Sequence, residues 1–300
     1  MSKLTTLSEA VARYVGDGDT LYAAGFTHLI PFAAGQEVIR QKKRDLVLAR
    51  ATPDLIYDQM VAAGCARKVI FSYMGNPGVG SLRIVRSAIE QGRLDWEEYS
   101  HFQMITRLQA GASGLPFLPM NQTGAADLEM ANPQIKRIAN PYGGKDLVVV
   151  PALNPDVAIV HVQRADSNGN AHLWGIIGEQ KEAAFAARKV ILTAEEIVDE
   201  EVIRSDPNRT LIPEIVVDAV CHVPYACHPS YAQGYYDRDN EFYLKWDKVS
   251  DSTEQVQSWL DEWVYGVKDR AEYWSKLGEE VQRRLQVKPR HSESINYGQY

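Results

Sequence analysis

Apolar positions Leu7, Ala10, Val11, Tyr14 and Val15 recur at helical spacing, and the cluster Gly16-Asp17-Gly18-Asp19 stops that helix before a short apolar run, 20–24, that reads as a buried strand. From there the pattern alternates. It predicts a helix over 34–41, a strand over 46–50, a helix over 54–63, a strand over 68–73 and a helix over 81–91. Thr52-Pro53-Asp54 supplies a cap signal for the helix that begins at 54. Strands separated by helices of this length pair in parallel, so the fold class is α/β, an open, mostly parallel sheet flanked by helices.

Further along, Met104, Ile105 and Leu108 predict another helix, ended by Gly111-Ala112-Ser113-Gly114, and 115–119 reads as a short buried strand. The Asn-, Pro- and Gly-rich stretch 120–146 reads as a long loop, an excursion rather than a domain boundary. Strands are expected at 148–150 and 157–162, and Asp166-Ser167-Asn168-Gly169-Asn170 folds the second of these back onto 171–174 as a hairpin. A strand over 190–193 leads to Glu195-Glu196, read as the start of a helix. In the tail, Val256, Trp259, Leu260, Trp263, Val264 and Val267, then Tyr273, Leu277, Val281 and Leu285, form stripes that predict a C-terminal helical segment over about 253–287. The final ten residues are polar and expected to be loose. The whole chain, 1–300, is read as one domain.

Composition narrows the function. With 45% hydrophobic and 24% charged residues, the chain buries a full core. A net charge of -7 without a long basic run argues against nucleic acid or an anionic membrane as partner, so an anionic substrate must be met by local donors. No window reaches the roughly 20 apolar residues of a membrane span, and the first residues lack an apolar run of signal length. Three cysteines make no disulfide framework, and the expected location is the cytoplasm.

Several constellations carry candidate chemistry. A strand that ends in Gly25-Phe26 places backbone amides at the carboxyl edge of a sheet, where open α/β folds bind ligands. Gly75-Asn76-Pro77-Gly78-Val79-Gly80 lies between a strand and a helix, and reads either as a plain glycine-rich turn or as an anion-binding nest at a helix N-terminus; its position after a parallel strand favours a site. It is neither a Walker loop nor a dinucleotide fingerprint. Glu97 and Glu98 cannot share one helix face and read as solvated, Ser100 and His101 line a pocket singly rather than as a nucleophile pair, and Arg107 reads as a surface or ion-pair residue. Asp166, Asn168 and Asn170 imitate a calcium loop without its Gly and Glu, and Cys221-His222 with Cys227-His228 lacks a usual zinc spacing, so no metal is expected.

The stretch Asp17-Gly18 to Pro31 resembles the signature of the class I coenzyme A transferases, roughly Asp-Gly, three apolar residues, Gly-Gly-Phe and a later Pro, with Tyr22, Ala24 and Ile30 departing from it. Gly75-Asn76-Pro77-Gly78-Val79, Ala110 to Phe117, Lys181 to Ala184, His228-Pro229-Ser230 and Tyr235 to Asn240 extend the likeness over nearly the whole chain, nearest to the α subunit of the glutaconate and 3-oxoadipate enzymes. That resemblance implies a β-subunit partner that carries the nucleophilic glutamate, in a heterodimer or α2β2 heterotetramer. It implies acyl-CoA and a carboxylic acid as substrates, coenzyme A as a substrate rather than a resident cofactor, and no catalytic residue in this chain. It also implies a substrate site lined by Phe26, Thr27, His28, Asn76, Gly78, Val79, Ser100 and His101, with His101 as a donor where much of the family has glutamine. One rival is a subunit of a CoA-thioester ring-opening hydrolase of the same architecture; another is a non-catalytic binding protein, in which these loops merely pack.

Overall fold

In chain order the strands are β1 (Thr20–Ala23), β2 (Leu46–Ala49), β3 (Ala66–Phe71), β4 (Asp95–Glu98), β5 (Phe117–Met120), β6 (Lys136–Ile138), β7 (Leu147–Pro151), β8 (Val157–Ala165), β9 (Ala171–His172), β10 (Lys189–Ile197), β11 (Thr210–Ile212) and β12 (Ala219–His222). Between and after them lie α1 (Leu7–Tyr14), α2 (Phe32–Arg40), α3 (Leu55–Ala62), α4 (Arg83–Glu90), α5 (His101–Ala112), α6 (Ala126–Ala131), α7 (Gln180–Ala186), α8 (Glu200–Arg204), α9 (Asn240–Val249), α10 (Thr253–Leu260), α11 (Arg270–Leu277) and α12 (Glu279–Arg284). This computed structural model describes residues 2–76, 79–121 and 126–287; Gly78 and the final ten residues, singled out above, lie outside the described residues.

The main sheet runs β12-β10-β8-β1-β2-β3-β4, every pair in that series parallel as the alternation predicts, while β9 and β11 join it antiparallel beside β8. Successive side chains of a strand face opposite ways. Leu21, Leu46, Leu48, Val157, Ile159 and Ile191 therefore join α1 to α4, α9 and α10 on one face, while Tyr22, Val47, Ala158, Val160, Val190 and Leu192 meet α5, α7 and the loop 226–236 on the other. β8 is buried almost end to end, as a central parallel strand must be.

Helix starts follow local chemistry. Thr6 and Glu9 form a capping box on α1, Asp54 caps α3 by accepting from the Leu55 amide at 2.7 Å, and Ser100 with Gln103 boxes α5. The hairpin at 166–170 stands as predicted, with Asp166 Oδ1 accepting from the amides of Asn168, Gly169 and Asn170.

Three expectations need correction. The stretch 120–146 is not a bare loop but contains α6 and β6, and β6 and β5 flank β7 in a separate three-stranded antiparallel sheet. The strand expected at 115–119 is β5, an edge strand with Phe117 at 42% exposure rather than a buried one. Glu195-Glu196 does not start a helix; it lies in β10. The expected C-terminal helical segment is present as α10, a π turn at Asp261–Tyr265, α11 and α12. Among the described residues no helix is long and apolar enough to cross a membrane.

Asp58, with no exposed surface, accepts from the Val85 amide and from Nε1 of Trp246, both at 3.0 Å, tying α3 to α4 and α9. Burial pushes its carboxyl up to about 7. Between an ordinary 3.8 and that value the folded chain holds a proton that the unfolded chain has released, so this group's contribution to stability falls as pH rises. Asp58→Asn does not titrate and satisfies one of the two donors, so it is expected to be less stable than the parent by about 1–2 kcal/mol at about pH 5, with the gap narrowing toward about pH 8. Chemical denaturation across that range checks this, and a gap that stays constant would refute it.

Candidate active site

After β1 the chain moves one way through β2, β3 and β4, then returns to lay β8 on the opposite side of β1 and continues to β10 and β12. Strand order thus reverses between β1 and β8, and the crevice outside their carboxyl ends is where such sheets take ligands. The segment leaving β1 there is Gly25-Phe26-Thr27-His28. Gly25 has φ 130°, and a Cβ on it would lie 2.8 Å from the carbonyl oxygens of His28 and Leu29, so the turn closes only around glycine. Thr27 and Leu29 also take positive φ, 57° and 54°, a conformation costly for such side chains that the surroundings must hold.

They hold it from three sides. From the end of β2 the buried guanidinium of Arg50 donates through Nη2 to the Gly25 carbonyl. Ser230 Oγ donates to the Thr27 carbonyl at 2.8 Å, and the Leu29 amide donates to Tyr231 at 3.0 Å. His28 Nδ1 bonds the Ile176 carbonyl at 2.9 Å, and the Gln233 amide donates to its Nε2 at 3.0 Å. A carbonyl only accepts and an amide N–H only donates, so His28 is the neutral Nδ1–H tautomer; burial pushes its pKa down to about 4. With no exposed surface and both nitrogens taken, His28 anchors the loop instead of facing its open side.

The ends of β2, β3 and β4 meet at His101. Ser72 Oγ donates its one proton to the Ala51 carbonyl at 2.5 Å, so it can only accept from His101 Nδ1, 2.9 Å away. His101 Nε2 is therefore bare and accepts from Thr52 Oγ at 2.7 Å. Neutral His101 has no N–H left over, contrary to the expectation that it serves as a donor. Its ring meets the edge of Phe26, centroids 6.2 Å apart, which joins the β1 loop to the β4 end. Ser100 Oγ accepts from the Gln103 amide at 3.1 Å as the α5 cap.

Comparison with known proteins agrees with this geometry. The family model for coenzyme A transferase matches residues 4–222. The chain belongs to the coenzyme A transferase family. It is 50% identical over 282 residues to the A subunit of 3-oxoadipate CoA-transferase from Pseudomonas knackmussii, covering 93% of this chain and 99% of that one. It is 37% identical to the A subunit of glutaconate CoA-transferase from Acidaminococcus fermentans, and the crystal structure of the glutaconate enzyme superposes with a TM-score of 0.88 over 96% of both chains. A cholesterol ring-cleaving hydrolase subunit of Mycobacterium tuberculosis is 27% identical over 88% of this chain and 94% of its own.

Within this transferase chain the other candidates fall as follows. Asn76 is buried, its Nδ2 is without a partner among the described residues, and its backbone closes a turn with Val79 and Gly80. Val79 packs its side chain in the core, which leaves only its backbone for a ligand. The following helix, α4, begins at Arg83, and Asp247 accepts there from the Ser81 amide at 3.3 Å and from the Arg83 side chain at 2.9 Å. Glu97 and Glu98 lie on strand β4, not on a helix, and Glu97 is not solvated; it accepts from Lys68 Nζ at 2.5 Å and from the Tyr99 hydroxyl at 2.9 Å. Arg107 is buried, its guanidinium over the Tyr99 ring and 3.7 Å from Glu97, so it is an ion-pair residue and not a surface one.

Glu195, His161 and Cys227 bring ligand-type atoms within 4.8 Å of one another. Glu195 already accepts from His161 at 2.8 Å, the Tyr236 hydroxyl at 2.7 Å and the Tyr225 amide at 2.7 Å, and burial pushes the Cys227 thiol far up, so the cluster reads as a structural knot under the 223–236 loop. The four residues Cys221, His222, Cys227 and His228 do not converge: the two cysteines belong to cores on opposite faces of the sheet. The residues missed from the sequence are Arg50, Thr52 and Ser72, each just past the end of a parallel strand. A cavity of about 750 Å³ between α1, α2 and α11 is lined by none of the candidate residues.

Gly178 lies against Phe26, and a Cβ there would fall 2.6 Å from Phe26 Cβ. Gly178→Ala is expected to displace the Phe26 loop, lowering enzyme activity at least about tenfold while costing only about 1–3 kcal/mol of stability. Parallel thermal melts and rate measurements check this, and full activity in a stable variant would rule it out.

Proposed function

We propose that this chain is the α subunit of a heteromeric CoA-transferase that moves CoA from an acyl-CoA, succinyl-CoA for preference, to a 3-oxo or dicarboxylic acid such as 3-oxoadipate or glutaconate. The observation that carries the reading is the 50% identity, over nearly the full length of both chains, to the A subunit of the 3-oxoadipate enzyme. The carboxylates near the clamped loops also support a nucleophile supplied from outside. Glu179 and Glu195 are 2% and 4% exposed, and Glu195 is fully engaged.

In the proposed reaction a glutamate carried by the β partner attacks the thioester carbon, the C–S bond breaks and CoA leaves as thiolate; the thiolate attacks the resulting mixed anhydride, giving an enzyme thioester and the free acid. The acceptor acid then reverses both steps. Phe26, Thr27, Asn76 and the backbone of Val79 line the acyl end, with Ser100 and His101 beside it, and backbone amides near the loop stabilise the tetrahedral oxygens. His28 serves this site from beneath. Coenzyme A acts as substrate, the partner makes a heterodimer or α2β2 heterotetramer, and the three buried free cysteines suit the cytoplasm.

Purification with and without the β subunit, followed by assays of transfer from succinyl-CoA to 3-oxoadipate or glutaconate, tests the reading. Transfer is expected only in the mixture, and Phe26→Ala and Asn76→Ala should each lower kcat/KM about tenfold or more. A stable complex that transfers to neither acid, yet opens a ring-bearing CoA thioester with water, would replace the transferase by the hydrolase suggested by the 27% relative.

A further inference from the structure

The hydrogen bonds at the ends of β2, β3 and β4 all point one way. Thr52 donates to His101, His101 donates to Ser72, and Ser72 donates to the Ala51 carbonyl. The last acceptor fixes every proton before it, because a carbonyl can only accept. Burial pushes the pKa of His101 below its ordinary value of 6.5, which keeps the imidazole neutral near pH 7 and the chain in this sense. Thr52 Oγ has spent its one proton inward, so it offers an incoming ligand two lone pairs and no donor. A group that binds there must bring an N–H or O–H.

That requirement sorts the substrates of the proposed reaction. At neutral pH a carboxylate and a keto group are acceptors only, as is the thioester carbonyl. The CoA arm carries amide N–H groups, the nearer one two carbons from the sulfur. We propose that Thr52, its hydroxyl turned inward by His101, accepts this amide N–H of the pantetheine arm and so sets the thioester against the partner's nucleophile. This rests on the CoA-transferase reading. Thr52 is half-buried at the carboxyl edge, and the His101 ring that holds it touches Phe26, so arm and acyl group meet on adjacent strand ends. His101 is then a positioning residue, acting through Thr52.

The test uses the assembled complex and two truncated donors, an N-acetylcysteamine thioester and its analogue with the amide N–H replaced by an ester oxygen. The parent should prefer the amide about tenfold in kcat/KM, the size of one hydrogen bond. Thr52→Val should abolish that preference, Thr52→Ser should keep it, and His101→Phe, which frees the hydroxyl to donate to the ester analogue as well as to accept from the amide, should shrink it with Thr52 still present. A merely structural role would lower both rates and leave their ratio unchanged. An active Thr52→Val complex with the preference intact, or a parent with none, overturns the proposal, and if Thr52→Val fails to fold, the parent and Thr52→Ser ratios still decide. A parent complex that does not transfer CoA at all overturns the transferase reading instead.

Discussion

Parallel pairing sends the carboxyl ends of all seven main strands to one edge, and the site depends on the place where their order reverses. At β1 the neighbouring crossovers depart in opposite directions, so no helix connection covers the ends of β1 and β8. The segment that must turn there has room for exposed backbone but no regular structure to hold it. Everything near it supplies that hold: Arg50 from β2, Ile176 from the loop after β9, and Ser230, Tyr231 and Gln233 from the loop after β12. The strained conformations of Thr27 and Leu29 persist because three separate parts of the chain oppose their relaxation.

The polar groups drawn into the interior serve the same end. Glu195 sits in a central strand, where an unpaired carboxylate would be costly, and three donors from β8 and the 225–236 loop meet it. That loop in turn bonds His28 and Thr27. A charge placed in β10 is thereby connected, through a dozen residues of irregular chain, to the backbone beside Phe26. Removing the carboxylate would leave buried donors unmatched and would loosen the loop that clamps the site.

What could be read from the sequence was what nearest neighbours decide. The alternation through β4 was visible because each central strand is a short apolar run, and because α1 and α3 bring their own caps, Thr6 and Asp54. The errors all involve residues whose environment lies far along the chain. Lys136, Arg137 and Ile138 are exposed on every side and form a strand only because β7 offers them an edge. Glu195 and Glu196 look like a helix start until His161, Tyr236 and Arg164 are brought to them. Of the site, Phe26 and His101 could be found from strand ends and resemblance, but the hydroxyls between them could not. Thr52 and Ser72 mean nothing until β2, β3 and β4 lie side by side. The helix α9 was overlooked although Tyr243, Trp246 and Val249 share a face, a signal the tail stripes overshadowed.

The proton count of the site bears on which chemistry it suits. In the proposed exchange each step replaces one anion by another: a carboxylate attacks, a thiolate leaves, and the thiolate attacks in turn. No proton has to be taken up or delivered at the reacting carbon. Hydrolysis is different, since water must lose a proton to some base as it attacks. The imidazole at this edge is poorly placed for that task. Its Nδ1 proton is committed to Ser72 and its Nε2 lone pair to Thr52, so a proton leaving water would have to pass through the Thr52 hydroxyl to reach it. Such an arrangement fixes a hydroxyl in one orientation and holds it there. A site that needs geometry more than proton transfer is the kind that anion exchange between two acids requires.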